Sequence, residues 1–81
     1  MEKEITVDLS ATEATPIAHL VQLANQFDSS IYFEMDGKKV NAKSIMGMMS
    51  LVLTNGAIVK IIAEGADEEK AIAALEEFLV A

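Results

Sequence analysis

Ser44 is the residue of this chain best placed to do chemistry. It stands between Lys43 and the segment Ile45-Met46-Gly47-Met48-Met49, where apolar side chains crowd together. Its hydroxyl can act as a helix N-cap, accepting from a backbone N–H that the first turn leaves unpaired. A phosphoryl group on that hydroxyl would meet the positive end of the helix dipole, with Lys43 nearby. A helix this short cannot turn Met46, Met48 and Met49 all inward. Some of them must form a flexible apolar patch beside the serine, the kind of surface that adapts to protein partners. The local pattern therefore predicts a phosphorylatable docking surface.

Other reactive residues offer less. His19 is the single histidine and falls inside a helix that follows Thr15-Pro16. No acid or base stands near it at a catalytic spacing, so it reads as a histidine on a partly exposed helical face. Glu13 lies in the loop at or before that helix. It reads as an acid favouring the helix dipole, or as a fixed negative charge in a docking site. Asp67-Glu68-Glu69 and Glu76-Glu77 follow helical surface positions and lack calcium-loop spacing, so no metal site is expected. No phosphate-binding loop, dinucleotide fingerprint or nucleophile elbow occurs, and neither catalysis nor a cofactor is implied.

The elements that must position Ser44 belong to one small domain, residues 1–81. With 52% hydrophobic and 23% charged residues the chain is globular rather than disordered. Its net charge of −7 and its lack of any arginine argue against nucleic acid. The absence of cysteine excludes disulfides and thiolate chemistry. No apolar run is long enough to cross a membrane, and Met1-Glu2-Lys3-Glu4 has no signal-peptide pattern. The expected setting is the cytoplasm, with other proteins as partners.

Lys3 to Leu9 alternates, with Ile5, Val7 and Leu9 on one face, and predicts a half-buried strand. A helix opening at Thr15-Pro16, or from Thr12 or Glu13, carries Ile17, Leu20, Val21, Ala24 and Phe27 at helical spacing and ends at Asp28-Ser29-Ser30. Ile31 to Met35 and Lys38-Lys39-Val40 flank Asp36-Gly37, a strong hairpin signal because both turn positions tolerate positive φ. After the Ser44 helix, Asn55-Gly56 marks a turn and Ala57 to Ala63 a strand. Gly65-Ala66-Asp67-Glu68-Glu69 opens a last helix whose stripe is Ala71, Ile72, Leu75, Phe78 and Leu79. The order β-α-β-β-α-β-α, with one apolar stripe per helix, predicts an α+β sandwich with helices over one face of an antiparallel sheet.

From Thr6 to Leu79 the wording resembles HPr, the histidine-containing phosphocarrier family of the bacterial sugar phosphotransferase system, and its Crh branch. The run Asp36-Gly37-Lys38-Lys39-Val40-Asn41-Ala42-Lys43-Ser44-Ile45-Met46-Gly47 carries most of the likeness. Met49-Ser50-Leu51, Gly56 and Gly65-Ala66-Asp67-Glu68 add to it. The resemblance implies an open-faced β-sandwich, a four-stranded antiparallel sheet in the order 1-4-2-3 with three helices on one face. It also implies that Ser44 is the serine modified by HPr kinase/phosphorylase, and that Ile45, Met46 and Met49 are the apolar contact patch.

The family's other site does not carry over. Aligned through Pro16 and Val21-Gln22, Glu13 stands where the family has its phosphoryl-accepting histidine, and Thr15 where it has an arginine. Glu13, Thr15 and Pro16 then belong to a partner-binding loop, and the lost arginine removes a contact with the transcription regulator catabolite control protein A. The resemblance thus implies a non-catalytic, cytoplasmic regulatory protein of bacterial carbon metabolism that docks to HPr kinase/phosphorylase and to catabolite control protein A or another regulator. The alternatives are a phosphocarrier using an unusual acceptor such as His19, and a variant of the fold with no phosphorylation.

Overall fold

The computed structural model describes residues 1–8, 17–51 and 56–80. In chain order the elements are β1 (Glu2–Thr6), α1 (Ile17–Ala24), β2 (Ser30–Met35), β3 (Lys38–Asn41), α2 (Ile45–Met49), β4 (Ile58–Glu64) and α3 (Glu68–Leu79). The strands form one sheet in the order β1-β4-β2-β3, and every neighbouring pair is antiparallel. The expected open-faced sandwich is therefore found.

Alternation along the strands decides which face the helices cover. In β4, Val59, Ile61 and Ala63 are buried, whereas Ile58 is 57% exposed and Lys60 and Ile62 are half-buried. Ile31 and Phe33 of β2 and Ile5 of β1 join the buried face. Leu20, Val21 and Ala24 of α1, Met48 of α2, and Ala71, Ile72, Leu75 and Leu79 of α3 close over it. Burying each large side chain of this set contributes about 1.5–3 kcal/mol, and that packing, rather than helix propensity, holds a helix as short as α2. The other face is left to solvent and carries a row of alternating charge. Glu4 pairs in register with Lys60, Lys60 with Glu34, and Glu34 with Lys39.

The β2–β3 hairpin turns as the Asp-Gly pair predicts, with φ of 53° at Asp36 and 79° at Gly37. Element ends differ from expectation, for identifiable reasons. β1 stops at Thr6 rather than at Leu9, which lies outside the described residues. Val7 still exchanges bonds with Ala57 and Gly56, both 2.7 Å, but the Asp8 N–H turns away to the Leu79 carbonyl at 2.9 Å. Regular winding of α1 ends at Ala24, short of the expected Phe27. The last turn tightens there, with Gln26 donating to Leu23 at 3.1 Å and Phe27 to Ala24 at 3.3 Å. β4 begins and ends one residue later than the alternation suggests.

Candidate functional site

α2 is built around a serine cap. Ser44 has extended backbone angles (φ −104°, ψ 116°), and its Oγ accepts from the Gly47 N–H at 3.3 Å. Its carbonyl receives the first intrahelical bond, from Met48 N–H at 2.9 Å, and its own N–H donates to the Asn41 carbonyl at 3.0 Å. Two bonds thus fix the backbone at Ser44, while its hydroxyl stays exposed and holds one long contact. At the far end, the Ser50 Oγ–H donates to the Gly47 carbonyl at 2.6 Å, closing the helix after five residues.

The apolar side chains sort as geometry demands. Met48 is the one that turns into the core, at 0% exposure. Ile45 (47%), Met46 (82%) and Met49 (69%) remain exposed beside Ser44. Their spacings of three and four residues put them on one helical face. A Cβ at Gly47 would stand 3.6 Å from the Ser44 Oγ, an ordinary van der Waals contact, so the cap itself does not demand glycine there.

Lys43 does not sit as expected. Its ammonium donates to the Phe27 carbonyl at 2.7 Å, and so is committed to the end of α1 rather than to the space around Ser44. Lys43 lies in the turn that precedes the extended Ser44, and its side chain leaves toward the segment after α1. The carbonyls ending a helix lack internal partners and carry the negative end of its dipole, which attracts a cation. The main chain of Lys43 is held too, by Asn41 Oδ1 accepting from its N–H (2.9 Å) and by Asn25 Nδ2 donating to its carbonyl (3.2 Å). That Asn25 amide also donates to the Val21 carbonyl at 2.8 Å, tying α1 to the approach to α2.

His19 lies on the exposed side of α1, away from the buried Leu20, Val21 and Ala24. Glu13, Thr15 and Pro16 lie outside the described residues.

One cluster of polar groups escaped the sequence. The Asp67 carboxylate accepts from the Asp28 N–H (2.9 Å), the Ser29 N–H (3.0 Å) and the Ser29 hydroxyl, joining the start of β2 to the start of α3. These bonds, the Ser29 hydroxyl foremost, hold the Asp67 carboxyl below its ordinary range. Asp67 occupies the α3 N-cap position without capping it, because its side chain is spent on the neighbouring loop. Gly65 allows the approach, for a Cβ there would lie 2.6 Å from the Ser29 Oγ and 2.7 Å from its Cα. The signal was the glycine two places before an acid, which looked like no more than a helix start.

The whole chain, residues 1–81, matches the family model described as the PTS HPr component phosphorylation site. It is 50% identical over 80 residues to the HPr-like protein Crh of Halalkalibacterium halodurans, covering 98% of this chain and 95% of that relative. Identity to the HPr-like protein Crh of Bacillus subtilis is 45% over 80 residues, covering 98% and 94%. Among solved structures, the phosphocarrier protein HPr of Bacillus anthracis superposes with a TM-score of 0.89 at 45% identity, over 98% of this chain and 95% of that one.

Proposed function

The chain belongs to the HPr family, and from that premise we propose that it is a non-catalytic regulatory member, phosphorylated on Ser44 and docking through Ile45, Met46 and Met49. The observation that carries this reading is the exposed Ser44 hydroxyl at the cap of α2, beside a contiguous exposed apolar face. HPr kinase/phosphorylase is the proposed modifying enzyme and ATP the phosphoryl donor. The Ser44 Oγ attacks the γ-phosphorus, an Oγ–P bond forms, the bridging P–O bond breaks, ADP leaves, and the hydroxyl proton passes to the kinase's base. The product adds close to two negative charges where α2 presents unpaired N–H groups. Catabolite control protein A, or another regulator of carbon-source use, then reads phosphate and methionine patch together in the cytoplasm.

Relay of phosphoryl groups to sugars has less support. Glu13 stands at the place of the family's acceptor histidine, and His19 lies on α1, where no described carboxylate or amide is bonded to its ring.

The test is intact mass after incubation with HPr kinase/phosphorylase and ATP, with Ser44→Ala as control. One added phosphoryl group, absent from the control, is expected. No gain in either protein refutes the modification, and equal negligible binding to catabolite control protein A before and after it refutes that partner.

A further inference from the structure

The five methionines of this chain fall into distinct environments. Met46 and Met49 are 82% and 69% exposed on the outer face of α2, whereas Met48, between them in sequence, is fully buried. Met35 packs against the core, and Met1 is 50% exposed at the chain start. The chain has no cysteine, so thioethers are its only sulfur nucleophiles and no thiol competes for an oxidant.

We propose that Met46 and Met49 together form an oxidation site for hydrogen peroxide and small organic hydroperoxides, which converts the apolar face of α2 into a polar one and leaves the fold intact. A sulfur lone pair attacks the distal peroxide oxygen. An S–O bond forms, the O–O bond breaks, and water leaves from hydrogen peroxide, or an alcohol from an organic hydroperoxide. The sulfur gives up two electrons and the peroxide takes them. The side chain becomes a polar sulfoxide, which methionine sulfoxide reductases return to the thioether.

The consequence resides in the packing. Met46 and Met49 are three residues apart on one helical turn, so both sulfoxides would lie on the face beside Ser44. Ile45, at 47% exposure, would be the apolar remnant. Met48 is sealed under the helix, so oxidation of its neighbours does not reach the core. If that face docks partners as proposed above, peroxide opposes docking independently of phosphorylation at Ser44.

The experiment treats the native, unphosphorylated protein with graded hydrogen peroxide and follows each methionine by peptide mass spectrometry. Met46 and Met49 should gain oxygen at least about tenfold faster than Met48, which must wait for the helix to open, and the difference should vanish in urea. Equal native rates overturn the proposal. Retention on a hydrophobic-interaction column should fall on oxidation of the parent and fall much less for a Met46→Leu/Met49→Leu double variant, although Met1 oxidises in both. Equal loss of retention in the two proteins also overturns it. A third arm measures partner binding by the Ser44-phosphorylated protein, which should weaken at least tenfold on oxidation and recover with sulfoxide reductase. Failure of the unoxidised phosphoprotein to bind would refute the docking reading, and the first two arms would still decide the oxidation site.

Discussion

Replacing Lys43 with methionine should destabilise the unmodified protein. The change keeps most of the apolar stem and removes the ammonium that donates to the Phe27 carbonyl at 2.7 Å. Hydrogen bonds to charged groups contribute about 1.5–3 kcal/mol. Lys43 is only half-buried, so water can replace part of the loss, and the lower end, about 1.5 kcal/mol, is expected. For a domain of this size, 1 kcal/mol corresponds to roughly 4–8 °C, which puts the fall in Tm at about 6–12 °C. Urea unfolding followed by circular dichroism gives the same quantity, with the midpoint lowered and the slope unchanged. Lys70→Met is the control, because Lys70 is exposed on α3 and should change stability by less than about 0.5 kcal/mol. A Lys43→Met midpoint no lower than the control's would refute this account. It would favour the simpler reading of the sequence, in which the ammonium stands free beside Ser44 and matters only after phosphorylation.

Gly65→Ala should cost about 3 kcal/mol or more in urea unfolding, because the new methyl would overlap Ser29 and sit on a backbone with positive φ. Adding Ser29→Gly should restore only part of the loss, since the Ser29 Cα itself lies 2.7 Å from that methyl position. The bonds from Ser29 and Asp28 hold the Asp67 carboxyl below the ordinary aspartate range, so its folded form holds a proton less tightly than its unfolded form. The stability it contributes is therefore full at neutral pH and disappears as pH falls through the folded value. Unfolding midpoints measured from pH 7 downwards should drop more steeply for the parent than for Asp67→Asn. Met48→Ala should lose about 2–5 kcal/mol of stability, whereas Met46→Ala should lose less than about 0.5 kcal/mol and instead abolish docking, as thermal melts and binding titrations would show.

Legibility in the sequence followed the range of the physics involved. The hairpin at Asp36-Gly37 was readable because two adjacent residues set its backbone angles. The inward faces of β4 and α3 were readable because burial imposes a period on side chains close in the chain. Strand order carries no such local mark, and the order 1-4-2-3 came from a family's wording rather than from any pattern of hydrophobic residues. The sorting of the α2 methionines was half legible. Spacing said that some had to face outward, and only packing against the rest of the core chose Met48 as the buried one. The bond from Lys43 to the Phe27 carbonyl is not legible, because adjacency in sequence gives proximity without direction. Asp67 is legible as the start of α3, but its bonds are not, because its partners, Asp28 and Ser29, lie far along the chain and bind through two backbone N–H groups that no residue type announces.

These two long-range contacts meet on the same short loop. Phe27 lends its carbonyl to Lys43, next to the Ser44 cap, and the following residues, Asp28 and Ser29, lend their N–H groups to Asp67, at the start of α3. The loop thus accepts from a cation on one side and donates to an anion on the other, so the charges at its two edges polarise its peptide groups in one direction. Because the Lys43 carbonyl is also held by Asn25, the residue before Ser44 is fastened both to the turn that ends α1 and to the Phe27–Ser29 loop. The cap geometry of α2 therefore does not rest on five helical residues, too few to stabilise a helix alone. It rests on α1, on the Phe27–Ser29 loop and, through Asp67, on the 12-residue α3. A modifying enzyme would meet Ser44 on a backbone already set by these contacts, with the hydroxyl and the two outer methionines left free to change.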